Sequence, residues 1–187
     1  MTFAPNYLVG NHGLEGLSPP KNSMVAYPKI CQDWIYIIMQ FLTKQEGTYG
    51  IAIEDKTYSL AIHYRKSRNK KKVKNLLETF LPQLPHSPRI LNGKCVVNII
   101  PTGAPHKGMA LLEIINESKK ANAFYIGDDS SDEDVFNLDN QNIFKVRIGF
   151  KRDSNAKYYI KNQAEIIPLL RFLLSSFKKN NQKIQNN

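Results

Sequence analysis

The stretch Tyr125-Ile126-Gly127-Asp128-Asp129-Ser130-Ser131-Asp132-Glu133 runs an apolar strand straight into four acids. Asp128 at the strand's carboxyl end and Asp132 at the opening of the next helix would put two carboxylates on one crevice of an α/β sheet. Oxygen ligands of this kind suit Mg²⁺, which habitually takes one or two carboxylates together with the oxygens of a substrate phosphate. The competing reading is a helix start in which Ser131 or Asp132 caps free N–H groups and the acids complement the helix dipole. Capping needs fewer acids than are present, so we favour the metal reading.

A second feature is Lys107-Gly108, which follows Pro101 and the loop Thr102 to His106 at the mouth of a helix. A lysine there can neutralise a phosphoryl oxygen as a point charge, and the glycine allows close backbone approach. Taken alone, such a lysine is more often a surface residue. Upstream, Tyr7 to Gly10 is a short apolar run followed by the glycine-rich loop Asn11 to Gly16. This pattern predicts a buried strand that feeds a polar loop at the same end of the sheet.

The elements that must position these groups follow from periodicity. Ile30, Trp34, Ile35, Ile38, Met39 and Leu42 recur at helical spacing. Tyr49, Ile51 and Ile53 alternate with other residues, as do Tyr58, Leu60, Ile62 and Tyr64, which predicts an antiparallel hairpin joined through Asp55 and Lys56. A helix around Lys71 to Leu81 and strands at Arg89 to Leu91 and Lys94 to Ile100 complete an α+β unit. From Lys107 onward, helix and strand alternate: a helix at 111–115, a strand at 123–126, a helix after Ser131, a strand at 144–148 and a final helix at 166–177. That order implies a parallel sheet covered by helices. The expected organisation is a core strand and loop at 1–19, an α+β insert at 20–101, the rest of an α/β core at 102–177 and a disordered polar tail at 178–187.

The chain's 187 residues and 42% apolar composition suffice to bury a core. No apolar run reaches the roughly 20 residues that span a bilayer, and no signal peptide is indicated, so a soluble protein with no membrane association is expected. Cys31 and Cys95 form no Cys-x-x-Cys pair, which argues against disulfide and zinc frameworks and favours a reducing cytoplasm. The net charge of +10 raises nucleic-acid binding, given the basic runs Arg65 to Lys74 and Lys178 to Lys183. No nucleic-acid motif accompanies either run, so both are read as solvated surface and no nucleic-acid partner is expected.

The strand-Gly-Asp-Asp-Ser-Ser-Asp-Glu stretch, preceded by Lys107-Gly108, resembles the last two signatures of the haloacid dehalogenase superfamily of phosphatases. Gly10-Asn11-His12-Gly13-Leu14-Glu15, Glu54-Asp55-Lys56-Thr57-Tyr58-Ser59 with His63-Tyr64-Arg65, and Gly93-Lys94-Cys95-Val96-Val97 narrow the resemblance to trehalose-6-phosphate phosphatases. The order and spacing agree from residue 7 to about residue 175. The resemblance implies a partial haloacid-dehalogenase-like parallel sheet core with an inserted α+β cap, and Mg²⁺ as cofactor. It also implies hydrolysis of trehalose 6-phosphate or a related sugar phosphate through an aspartyl nucleophile. By the same resemblance, Asp128 and Asp132 would hold the metal and Lys107 would stabilise charge in the catalytic step. His12, Gly13, Glu15, Glu54, Lys56, Arg65 and Lys94 would bind substrate. Without the resemblance, Glu54 and Lys56 would read as a charged hairpin turn.

Two departures from the family pattern bear on function. The family's opening Asp-x-Asp-Gly-Thr and its following Ser or Thr signature are not found in these residues, and the local Asp-x-Asp at 132–134 belongs to the acidic loop. The expectation is therefore a truncated or split phosphatase, inactive alone and aggregation-prone, that needs a missing N-terminal fragment as partner. The alternative is a non-catalytic sugar-phosphate binding or regulatory protein. Secondly, Asn98 stands where the family usually has Glu, which removes a sugar-facing carboxylate.

Overall fold

The structure is a computed structural model that describes residues 4–16, 26–48 and 50–185, with side chains up to Ser176. Five helices and seven strands carry the argument among these residues. Helix α1 is Ala26–Thr43, strands β1 and β2 are Ala52–Asp55 and Leu60–His63, and α2 is Lys70–Phe80. Strands β3 and β4 are Arg89–Gly93 and Val96–Ile100, followed by α3 (Lys107–Ser118) and β5 (Ala123–Gly127). A 3₁₀ turn at Ser130–Asp132 runs into the four-residue α4 (Glu133–Phe136). Strands β6 (Ile143–Ile148) and β7 (Tyr158–Ile160) and helix α5 (Ile166–Gln185) complete the chain.

Two sheets result, as the periodicity predicts. The cap sheet is antiparallel with strand order β1-β2-β4-β3, and the core sheet is parallel with order β5-β6-β7. Leu60 pairs with Ile99 and Ile62 with Val97. With period-two alternation, these four side chains share the face that packs on Trp34 and Ile38 of α1 and Val73 and Leu77 of α2. Trp34 is fully buried in this cap core, and its indole N–H donates to the Pro85 carbonyl at 2.8 Å. The opposite face carries Glu54, Ala61, Asn98 and Leu91, which lie in register across all four strands. A smaller cluster of Leu14, Tyr27, Ile100 and Ala104 joins cap to core. The Arg89–Asp134 ion pair and the Ser130 hydroxyl, which donates to the Asn92 carbonyl, add polar links.

Four expectations need correction. Tyr7 to Gly10 forms no strand: its only ladder contact among the described residues is a Gly10–Glu15 bridge, and Leu8 is 79% exposed. A strand forms only with a hydrogen-bonded neighbour, and among the described residues none lies beside this segment. The hairpin turns through Lys56 to Ser59, since Asp55 still belongs to β1. The helix after Ser131 is a single turn beyond the 3₁₀ segment. Helix α5 continues through Gln185 into the tail expected to be disordered, because Lys and Gln are good helix formers once a helix is nucleated. Tyr49 of the alternating run and the expected boundary at residues 19–20 lie outside the described residues. Among the described residues, no helix is long and apolar enough to cross a membrane.

Candidate active site

Asp132 is the best-anchored acid of the loop. It is 3% exposed, and its Oδ1 accepts from Lys107 Nζ at 2.7 Å and from the Tyr125 hydroxyl at 2.6 Å. Its Oδ2 accepts the Asp129 N–H at 2.7 Å, while the Asp129 carboxylate caps the turn by accepting the Ser130 N–H at 2.7 Å. The capping reading of the acidic stretch is realised with Asp129 as the cap and Asp132 completing the capping box, and Asp132 also fixes the lysine at the start of α3. Burial pushes the Asp132 carboxyl up, but Lys107, Tyr125 and the Asp129 N–H together outweigh it and hold the group below the usual range. Burial and the Asp132 carboxylate push the Tyr125 phenol up.

A carboxyl depressed in the folded chain stabilises the fold above its ordinary value of 3.8, and that contribution is lost as pH falls through the lower folded value. Stability should therefore drop on acidification below about pH 3.8. Urea midpoints at stepped pH should show a shallower acid slope in Asp132→Asn than in the wild type.

Arg147 supports the loop from behind. Only 8% exposed, it donates to Glu133 Oε1 at 2.9 Å and to the Asp128 carbonyl at 3.0 Å. A guanidinium suits this place because its rigid fork reaches several acceptors at once. Gly127 leaves no room for a Cβ, which would overlap the Asp132 carboxylate. Asp128, by contrast, is exposed, and its only side-chain partner among the described residues is Gln163 Nε2 at 3.4 Å.

The glycine-rich loop lies between this cluster and the cap. Gly13, at φ 105°, sits against the backbone of His106 and Lys107, where a Cβ would come within 2.7 Å of the His106 carbonyl carbon. His12 lies beside Asn98 on the core-facing side of the cap sheet. Burial, then Lys56, then Lys107 lower its pKa, against the opposing pull of Asn98 and Asp129, and so favour the neutral ring. Across the hairpin, Glu54 accepts from or pairs with His63 Nε2 at 2.8 Å and has Lys56 Nζ at 4.0 Å. The His63 contact holds the Glu54 carboxyl below its ordinary value.

His12, Gly13, Glu54, Lys56 and Lys107 thus gather where cap and core meet. Glu15 joins them by accepting from Asn11 at 3.2 Å. Arg65 and Lys94 do not: Arg65 reaches the Lys94 carbonyl at 3.5 Å beyond the far end of β2. From Leu60 to Arg65 the chain runs roughly 16 Å away from the turn.

Among the described residues, no three His, Cys, Asp or Glu side chains converge to form a cage. Asp128 is available, whereas both oxygens of Asp132 are taken by protein donors. The exposed Asp128 carboxylate fits an ion that keeps its waters and leans on a substrate phosphate, which is the habit of Mg²⁺.

Residues 5–164 match the family described as trehalose-phosphatase. The chain belongs to the trehalose-phosphatase family. A relative from Arabidopsis thaliana described as "Probable trehalose-phosphate phosphatase I" is 27% identical, over 92% of this chain and 52% of its own length. The chain spans about half the length of the curated relatives it matches. Among solved structures, a trehalose-6-phosphate phosphatase related protein aligns with TM-score 0.59 at 19% identity, covering 84% of this chain and 66% of the other. The C-terminal domain of a Candida albicans trehalose-6-phosphate phosphatase aligns with TM-score 0.57 at 19% identity, covering 76% and 60%. The expected architecture, a parallel sheet core with an inserted α+β cap, is the one observed.

In this trehalose-phosphatase chain, Tyr125, Arg147 and Asn11 are site residues that sequence reasoning did not single out. Arg147 left a trace, since it is a charge in the middle of the otherwise apolar run Val146 to Ile148. Tyr125 and Asn11 left none that periodicity or composition could separate from core and loop.

Proposed function

We propose that the chain carries the cap and the phosphate-binding half of a phosphatase that converts trehalose 6-phosphate and water to trehalose and phosphate. The observation that carries this reading is the Lys107–Asp132–Tyr125 cluster built on the buried Asp132, beside a cap face that presents Glu54 and Asn98 with Lys56 at its turn. Asp132 aims the Lys107 ammonium from the start of α3, where the helix's own free N–H groups also favour an anion. Lys107 then offsets charge on the phosphoryl oxygens, a role suited to a compact cation. Asp128 would hold Mg²⁺, with Asp132 as a further ligand only on releasing Lys107 or Tyr125. When bound, the ion would polarise the phosphoryl group as a Lewis acid. On the sugar side, Glu54 and Lys56 supply an acceptor and a donor for hydroxyls, and neutral His12 can do either.

The phosphoryl acceptor is neither member of the local Asp-x-Asp, since Asp132 is bound to Lys107 and Asp134 to Arg89. An acceptor aspartate would have to come from outside these side chains. The same commitment favours the second reading, a sugar-phosphate binding or regulatory protein. Two free cysteines suit a reducing compartment, and we place the protein in the cytoplasm.

The test is calorimetric titration of the 187-residue chain with trehalose 6-phosphate, with and without Mg²⁺, alongside a phosphate-release assay. Saturable binding that Mg²⁺ strengthens in the wild type but not in Asp128→Asn is the expected result. No binding would overturn the substrate reading. Phosphate release would show that an acceptor lies within the chain.

A further inference from the structure

Asn11 uses both ends of its amide across the boundary between core and cap. Its Oδ1 accepts from the Ser59 hydroxyl at 2.5 Å, and its Nδ2 donates to the Lys56 carbonyl at 2.8 Å. Those partners lie 48 and 45 residues away along the chain, at the two ends of the hairpin turn. Ser59 is fully buried, so its hydroxyl depends on this partner. Among the described residues the turn's other backbone hydrogen bonds are internal, the Lys56 N–H donating to the Ser59 carbonyl at 3.0 Å and the Thr57 N–H to Asp55 Oδ1 at 2.7 Å, while Tyr58 packs on the cluster of Leu14, Tyr27, Ile100 and Ala104.

On the core side, Asn11 and His12 both occupy the left-handed region, at φ 46° and 59°. Two consecutive non-glycine residues there are strained, and such strain persists only where the surroundings impose it. Gly13 follows, wedged on the backbone of His106 and Lys107. A continuous line of contacts therefore runs from the backbone of the phosphate-binding lysine, through Gly13 and Asn11, to both ends of the turn that carries Lys56. An ordinary loop asparagine bonds its own neighbours. This one spends its strongest contacts on the cap.

We propose that Asn11 is a positioning residue that clasps the cap hairpin to the Lys107 end of the core and thereby sets where Lys56 and Glu54 meet the sugar. The sugar-binding part rests on the functional reading above. The clasp itself does not.

The test uses the 187-residue chain with Asn11→Gly, Asn11→Asp and Ser59→Ala. Glycine keeps the left-handed backbone and removes both bonds, while aspartate keeps the acceptor for Ser59 but sets an acceptor against the Lys56 carbonyl. Trehalose 6-phosphate affinity is measured by calorimetry, and the His12 ring is titrated by NMR without ligand. Asn11→Gly should bind about tenfold more weakly, and Asn11→Asp should recover part of that loss. The His12 titration should move up toward its ordinary value in Asn11→Gly, because the turn takes Lys56 and its shielding away while Lys107 and Asp129 stay. A purely structural loop residue would leave that titration in place in a folded variant. Unchanged affinity together with an unchanged His12 titration overturns the proposal. If the wild type binds no trehalose 6-phosphate, the sugar reading fails and the His12 titration alone decides the clasp. If Asn11→Gly does not fold, Ser59→Ala, which releases the clasp from the cap side, decides it by the same two measurements.

Discussion

Asp132→Ala is expected to destabilise the chain by about 3 kcal/mol and to abolish Mg²⁺-dependent binding of the sugar phosphate. Three donors converge on this one carboxylate, and the Lys107 side chain is 31% exposed against 4% for Asp132. Removing one partner of a buried, hydrogen-bonded ion pair costs ~3–5 kcal/mol. The exposure of Lys107 places the loss at the low end of that range. The Tyr125 hydroxyl and the Asp129 N–H would be left without their acceptor, and the capping of the 3₁₀ turn would fail with them. Asparagine should recover part of the stability. Its oxygen can serve Lys107 and Tyr125, but its amide N–H would then face the Asp129 N–H, donor against donor. Urea unfolding midpoints of the three proteins would check this ranking, and a stability for Asp132→Ala within 1 kcal/mol of the wild type (about fivefold in the folding equilibrium) would contradict it.

The second large effect is expected at Gly13. Alanine there would have to hold φ 105° and place its methyl carbon 2.7 Å from the His106 carbonyl carbon and 3.0 Å from the Lys107 nitrogen. Neither neighbour is the end of a flexible side chain, so relief requires the loop to lift away from the start of α3. The left-handed conformation costs ~1–2 kcal/mol and overpacking ~1–3 kcal/mol, which together suggest a loss of about 3 kcal/mol. The lifted loop would carry His12 away from Lys107. Lower thermal stability should accompany weaker ligand binding, and a variant that loses neither would show that the close approach is dispensable.

Much of this arrangement was legible in the residues themselves. Alternating runs at 51–53 and 58–64 placed the hairpin, and the helical spacing of Trp34, Ile38 and Leu42 placed its covering helix. The run from Tyr125 to Asp132 announced a loaded strand end, and the structure brings Lys107 to it across 25 residues. Strand β7 escaped notice because three residues, Tyr158–Ile160, are too few to show a period. Tyr7 to Gly10 misled for the opposite reason. Its composition suits a strand, but pairing depends on what lies alongside, which local composition cannot report. The division of labour between the acids was also hidden. Asp128 and Asp132 read as equals in sequence, yet one is exposed and the other saturated by donors drawn from β5, α3 and the loop itself. Asn11 looked like turn chemistry, and only the fold brings Ser59 and Lys56 to it.

The chain has one tryptophan, Trp34, sealed in the core of the cap between α1 and the sheet. Its emission therefore reports the cap alone, while the parallel sheet, with tyrosine and phenylalanine only, stays dark at the same wavelengths. Heating curves followed by tryptophan fluorescence and by circular dichroism would coincide if cap and core unfold as one cooperative unit. If they separate, the fluorescence curve gives the melting of the cap by itself, without labels and without cutting the chain.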